Sequence, residues 1–213
     1  MYSIRTYPLG WIQTNCYIVS NASKKCVVID PGGNGEKLVK ELTRLQLTPV
    51  AILLTHAHFD HVGAVEFVRT KWGIPLYLHK KEKDWLEDPM KNGSGHYAEL
   101  PNITTNPADH LITEEGTLSF DDIHFQLLFT PGHSPGSITY VLVGENIAFV
   151  GDTLFKGSIG RTDLLGGNTQ QLLDSIHQKL LPLEEDTICY SGHGEPTTIG
   201  AEIETNPFLN GFN

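Results

Sequence analysis

Within the stretch Thr55-His56-Ala57-His58-Phe59-Asp60-His61, three histidines and one aspartate fall inside six residues. Neutral imidazoles and a carboxylate are ligand types for zinc, iron, nickel or manganese, and four of them this close can hardly point apart. A lone histidine in a solvated loop would need no such role. This cluster, however, directly follows the apolar run Val50-Ala51-Ile52-Leu53-Leu54, which reads as a buried strand. The polar residues therefore sit at a strand's C-terminal end, where open α/β sheets place ligand sites.

The second half of the chain repeats this arrangement three times, each apolar strand ending in a glycine-flanked polar residue. Leu127-Leu128-Phe129 leads into Thr130-Pro131-Gly132-His133, Ala148-Phe149-Val150 into Gly151-Asp152-Thr153, and Ile188-Cys189-Tyr190 into Ser191-Gly192-His193-Gly194. Glycine permits tight turns and lets loops approach one another closely. Taken singly, each of His133, Asp152 and His193 fits a structural role as well as a functional one. Three such placements matching the first cluster point to a shared site.

The elements that must position these residues follow from hydrophobic periodicity. Strands are expected at 15–19 and 25–29 across the turn 20–23, and Asp30-Pro31-Gly32-Gly33 breaks the chain after the second. A helix over about 36–45 places Leu38, Leu42 and Leu45 on one face. After the 50–54 strand and the histidine cluster, Val65, Val68 and Trp72 predict a helix that begins near His61 and stops at Gly73, with a strand at 74–78. Residues 80–106 carry charges, prolines and Asn92-Gly93-Ser94-Gly95. They predict a short helix and then a long loop, either a lid over the site or a surface excursion. Hairpin patterns follow at 117–120 with 123–129 and at 137–143 with 147–150. A helix over 169–180 has Leu173, Ile176 and Leu180 on one face and an Asn168–Gln171 capping box. A last strand at 187–190 and a short helix after Pro196 complete the series. Two similar halves of this kind predict two sheets packed together with helices outside.

Composition bounds the function classes. A chain of 213 residues with 39% hydrophobic content suits one soluble domain, 1–213, whose core needs no staples. Twenty-five acids against fifteen bases give a formal charge of −10, and no basic patch stands out, so a nucleic-acid partner is not expected. No run of about 18 apolar residues exists to span a membrane. The start, Met1-Tyr2-Ser3-Ile4-Arg5-Thr6-Tyr7-Pro8, lacks the apolar core of a signal peptide. Cys16, Cys26 and Cys189 are three in number and widely spaced, which is no disulfide framework; Cys16 and Cys26 lie in apolar runs and read as small buried residues. A reducing, cytoplasmic setting is the expectation.

His56-x-His58-x-Asp60-His61, followed by His133, Asp152 and His193, resembles the full metal pattern of the metallo-β-lactamase-fold hydrolases, over essentially the whole chain. The resemblance implies an α/β fold, an αββα sandwich of two mixed sheets with helices on the outer faces. It implies that His56, His58 and His133 hold one metal, that Asp60, His61 and His193 hold the second, and that Asp152 bridges both. Five histidines and two aspartates also exceed what one tetrahedral zinc can use. Two adjacent divalent cations, zinc first and iron or manganese as alternatives, would lower the pKa of a shared water to roughly 7. The hydroxide so formed would attack an acyl carbonyl while Asp60 helps orient it, with no serine or cysteine nucleophile required.

The segment Gly151-Asp152-Thr153-Leu154-Phe155 through Gly160-Arg161-Thr162-Asp163 is similar to type II glyoxalases, which hydrolyse hydroxyacyl thioesters of glutathione. In that branch a basic residue nine positions after the bridging aspartate approaches the thiol's glycine carboxylate. That position is Arg161, whose planar fork suits a carboxylate; the competing expectation is that Arg161 pairs with Asp163 and braces the loop. Full-length members carry a C-terminal helical domain that supplies more of the glutathione site, and none is expected here, so the chain resembles the short, single-domain kind with broader thioester specificity. The Gly-Arg-Thr-Asp signature is shared with the persulfide dioxygenases of the same fold, which use one iron, and this is the alternative activity. A non-catalytic metal-binding scaffold would be marked by loss of a ligand, and none is lost.

Overall fold

The apolar runs become two six-stranded mixed sheets. The computed structural model describes residues 2–210. They divide into two compact units, one running to Thr113 and taking in Ser119–Ile123, the other comprising Glu114–Leu118 and the chain from His124 onward.

The first unit contains, in chain order, β1 (Ser3–Leu9), β2 (Thr14–Ser20), β3 (Lys25–Ile29), α1 (Gly35–Arg44), β4 (Thr48–Leu53), α2 (Phe59–Val62), α3 (Val65–Trp72), β5 (Leu76–His79), α4 (Pro89–Asn92) and β6 (His110–Ile112). The strands pair in sequence order, antiparallel from β1 to β3 and parallel from β3 to β6. All seven residues of β2 are buried, and β3 and β4 read as near-continuous apolar runs, as strands covered on both faces must. Leu38 and Leu42 of α1 and Val65 and Val68 of α3 pack with Ile18, Val28 and Ile52 of the sheet. Their spacing is the helical stripe expected above.

Strand β1 carries no clear sequence signal, because Pro8 lies within it. It forms because it is the sheet's edge, where a missing N–H faces away from the ladder. The helix expected from near His61 is two pieces, the single turn α2 carrying Asp60 and His61, and then α3, closed by Gly73 in the left-handed region. Residues 80–106 are a pinned strap, not an open loop. Asn92 donates from Nδ2 to the carbonyls of Trp85 and Ile103, and Glu66 accepts from Thr105 Oγ1 and from Asn106.

The second unit contains β7 (Gly116–Phe120) up to Leu118, β8 (Ile123–Phe129) from His124 on, β9 (Ile138–Leu142), β10 (Ile147–Gly151), the small hairpin β11 (Leu154–Phe155) and β12 (Ser158–Ile159), α5 (Thr169–Ser175), β13 (Ile188–Ser191), β14 (Thr197–Thr198) and α6 (Ile199–Thr205). The order is β14-β13-β10-β9-β8-β7. Strand β10 pairs antiparallel with β9 and parallel with β13, with a register shift between Phe149 and Gly151. The Gly192 N–H then reaches the Gly151 carbonyl at 2.8 Å, setting the turns that carry Asp152 and His193 side by side. The helix expected over 169–180 is α-helical only to Ser175 and continues as a π-turn over Ile176–Leu180. Its buried stripe is Leu172, Ile176 and Leu180; Leu173, expected on that face, is only half-buried, because the stripe follows an i, i+4 spacing through the widened turn. Asn168 caps the helix by accepting from the Gln171 N–H at 2.9 Å.

All three cysteines are free and buried. Burial pushes the Cys26 and Cys189 thiols up to about 12 and Cys16 well above its ordinary range. The thiolate is the reactive form, so intact protein at pH 8 is expected to consume essentially no thiol reagent, and denatured protein three equivalents. Mass spectrometry after brief alkylation checks this; a labelled native chain would contradict the buried assignment. Among the described residues no helix is long and apolar enough to cross a membrane.

Candidate metal centre

Strands β3 and β4 run parallel, with Ile29 paired to Leu53, so the residues beyond their ends meet. Asp30, just past β3, is buried and held at φ +49°. Its carboxylate accepts from the Thr55 N–H at 2.8 Å and the Thr55 hydroxyl at 2.6 Å, and lies 2.9 Å from His61 Nδ1. Thr55 Oγ1 in turn lies 3.0 Å from His56 Nδ1.

Proton bookkeeping then fixes two tautomers. An ionised carboxylate only accepts, so His61 Nδ1 carries a hydrogen. The Thr55 hydroxyl spends its one hydrogen on Asp30 and must accept from His56, so His56 Nδ1 also carries one. Both rings are left with a lone pair on Nε2, the form that binds metal; carboxylate–histidine pairs of this kind orient ligand rings in metal sites generally.

The His56 ring lies 4.7 Å from that of His58 and 4.0 Å from that of His61, centroid to centroid. His61 Nε2 is 3.3 Å from Asp60 Oδ2, and the same oxygen accepts from Thr14 Oγ1 at 2.6 Å. His58 packs on the Trp85 ring at 5.6 Å, and Ala57, between the two histidines, donates its N–H to the fully buried Glu82 at 2.6 Å. Glu82 and Trp85 thereby tie the strap to the ligand loop. Replacing Glu82 by alanine leaves the Ala57 N–H without that acceptor, a cost of about 1–3 kcal/mol. The denaturant midpoint of metal-free protein should fall accordingly, and an unchanged midpoint would deny the brace.

In the second unit, His133 Nδ1 donates to the Arg161 carbonyl at 2.8 Å. A carbonyl can only accept, so His133 too presents a lone pair on Nε2. That atom and His193 Nε2 each lie 3.6 Å from Asp152 Oδ2. This is too long for a good hydrogen bond but close to the roughly 3.3 Å that separates ligand atoms sharing a tetrahedral ion with bonds near 2.0 Å. The approach depends on glycine at Gly160, where a Cβ would fall 1.8 Å from the Asp152 carbonyl oxygen. The same is true in the first unit at Gly32, 1.7 Å from that of Asp60.

Of the ligand-type residues picked out in the sequence, His56, His58, Asp60 and His61 lie together in the first unit, and His133, Asp152 and His193 lie together in the second. Imidazole and carboxylate donors with fixed tautomers fit divalent ions. Asp30, Thr14 and Glu82 are not evident as site residues from sequence, although Asp30, like the others, is a polar residue at a strand end, here ahead of the turn Pro31-Gly32-Gly33. Arg161 points its fork at Asp163, Nε to Oδ1 and Nη2 to Oδ2, both at 2.7 Å.

The metallo-beta-lactamase superfamily model matches residues 9–193. The chain is 51% identical to the probable metallo-hydrolase YqgX of Bacillus subtilis and 38% identical to the hydroxyacylglutathione hydrolase GloC of Haemophilus influenzae, each match covering 98% of both chains. Among solved structures, the BLEG-1 B3 metallo-beta-lactamase superposes with a TM-score of 0.95 at 55% identity, covering 98% of this chain and all of that one. TTHA1623 in a di-iron-bound form gives 0.82 at 38%, covering 96% and all respectively. This chain belongs to the metallo-beta-lactamase superfamily. Membership supports a metal-dependent hydrolase, and the fold and the His/Asp donor set suggest a dinuclear metal site.

Proposed function

We propose that this protein is a dinuclear metallohydrolase of small thioesters, with hydroxyacyl thioesters of glutathione as the leading substrates. The observation that carries it is the complete seven-donor set, with His56, His61 and His133 each held through Nδ1 so that Nε2 is left to bind metal. In this reading His56, His58 and His133 would hold one ion, Asp60, His61 and His193 would hold the other, and Asp152 would serve both, within a single domain. The ions would be zinc, or iron as in the di-iron neighbour. When bound, they supply Lewis acidity toward a carbonyl oxygen and acidify water.

The chain's own residues do the rest. Asp30 and Thr55 keep two imidazoles in the ligating tautomer, and the Arg161 carbonyl keeps a third. Thr14 occupies one lone pair of Asp60 Oδ2 and so fixes the orientation of that carboxylate. Arg161 receives a substrate carboxylate at the rim. The name of the GloC relative supports the thioester class. The B3 lactamase of near-identical fold supports a second reading, β-lactam hydrolysis.

Metal analysis with parallel assays separates these activities. The proposal expects about two metals per chain and hydrolysis of S-lactoylglutathione well above that of a chromogenic cephalosporin. One iron per chain with oxygen uptake on glutathione persulfide would replace it with the dioxygenase activity, and cephalosporin turnover without thioesterase activity would replace it with the lactamase reading.

A further inference from the structure

The Arg161 fork is held in place from behind. Its own carbonyl accepts the Nδ1 hydrogen of His133, so the residue is fixed one hydrogen bond from a ligand ring while its guanidinium stands at the surface, 58% exposed. There it is engaged bidentately by Asp163, two residues on. Fork-to-carboxylate pairing through two parallel N–H···O bonds is the geometry in which arginine recognises a ligand carboxylate.

We propose that Asp163 is a specificity-determining residue: it competes with the substrate carboxylate for the Arg161 fork and so narrows the site's preference for glutathione thioesters over thioesters that carry no carboxylate. The inference rests on the reading of Arg161 as the substrate's carboxylate anchor. Because the two residues are nearly adjacent, closing the pair orders little chain. The Arg161 hydrogen bonds hold the Asp163 carboxyl down at about 2, so it remains an anion at any working pH. Both partners are more than half exposed, and exposed ion pairs are weak. The competitor therefore tunes affinity without closing the site.

The test compares two substrates sharing one acyl group, S-lactoylglutathione and the lactoyl thioester of N-acetylcysteamine, which bears no carboxylate. The readout is the ratio of their KM values in wild type, Asp163→Asn, Arg161→Ala and the double variant, so that a general loss of folded protein cancels. Asp163→Asn should shift the ratio about threefold in favour of the glutathione thioester, the scale of an exposed ion pair. In the Arg161→Ala background it should shift it not at all. An unchanged ratio in Asp163→Asn, or an equal shift with and without Arg161, overturns the proposal and leaves the pair as a loop brace.

Calorimetric titration with S-hexylglutathione, a thioether that cannot be hydrolysed, reads the same competition without turnover. Tighter binding by Asp163→Asn in a protein that hydrolyses neither thioester would keep the Asp163 assignment and overturn the thioesterase reading. Unchanged binding there would overturn the assignment itself.

Discussion

Asp152→Ala is expected to lose at least on the order of 10³-fold in hydrolytic rate and to bind less metal at both positions, because in the proposed centre one carboxylate would serve two ions. Its Oδ2 already lies equidistant from His133 and His193 Nε2, at 3.6 Å each, as a group shared between ligand sets should. Removing an ordinary terminal ligand such as His193 would weaken one ion selectively. Removing Asp152 should weaken both, so metal analysis after dialysis separates the two roles. Two tightly held ions in Asp152→Ala would refute the bridge, whatever happened to activity.

The second large effect comes from a residue that touches no proposed metal position. In Asp30→Asn, one side-chain atom becomes a donor where the wild type has only acceptors. That amide would face the Thr55 hydroxyl and His61 Nδ1, and the network can relax only by reversing its protons. His61 would then accept at Nδ1 and carry its hydrogen on Nε2, and the Thr55 hydroxyl would turn to donate to His56. Both rings would move to the tautomer that cannot ligate through Nε2. Losing a carboxylate behind a histidine ligand typically costs 10–100-fold in metal affinity, and here one carboxylate stands behind two. A loss of about 100-fold in affinity by chelator competition is expected, with nitrogen-15 shifts of the imidazoles reporting the reversed tautomers. Asp30→Asn with wild-type affinity would show that the relay does not set the ligands.

The part of the centre legible in sequence was the part with a chemical signature. Imidazole and carboxylate side chains at strand ends announce themselves by type and spacing, and within each unit they lie together. Strand β3 appeared at its expected bounds because Cys26-Val27-Val28-Ile29 is apolar on both faces. What stayed hidden depends on tertiary partners. Asp30 looks like a chain-breaking turn residue until β3 and β4 align and place Thr55 and His61 against it. Glu82 looks like one more charge in a surface stretch, yet it is fully buried, because its acceptor is needed by a backbone N–H between two histidines. Strand β1 was obscured by a proline that only an edge strand tolerates, and Leu173 was misplaced because periodicity does not announce a π-turn. From sequence, the Arg161 side chain fits a substrate anchor and a partner of Asp163 equally; the pairing is present, and what it does to substrate choice is a question of affinity.

In the proposed function the two donor sets work together on a thioester. The measurement that addresses it most directly is the rate of S-lactoylglutathione hydrolysis by metal-free protein titrated with zinc or iron(II). Activity is expected to rise to a plateau at two equivalents per chain. A plateau at one equivalent, or no hydrolysis at any loading, would contradict it.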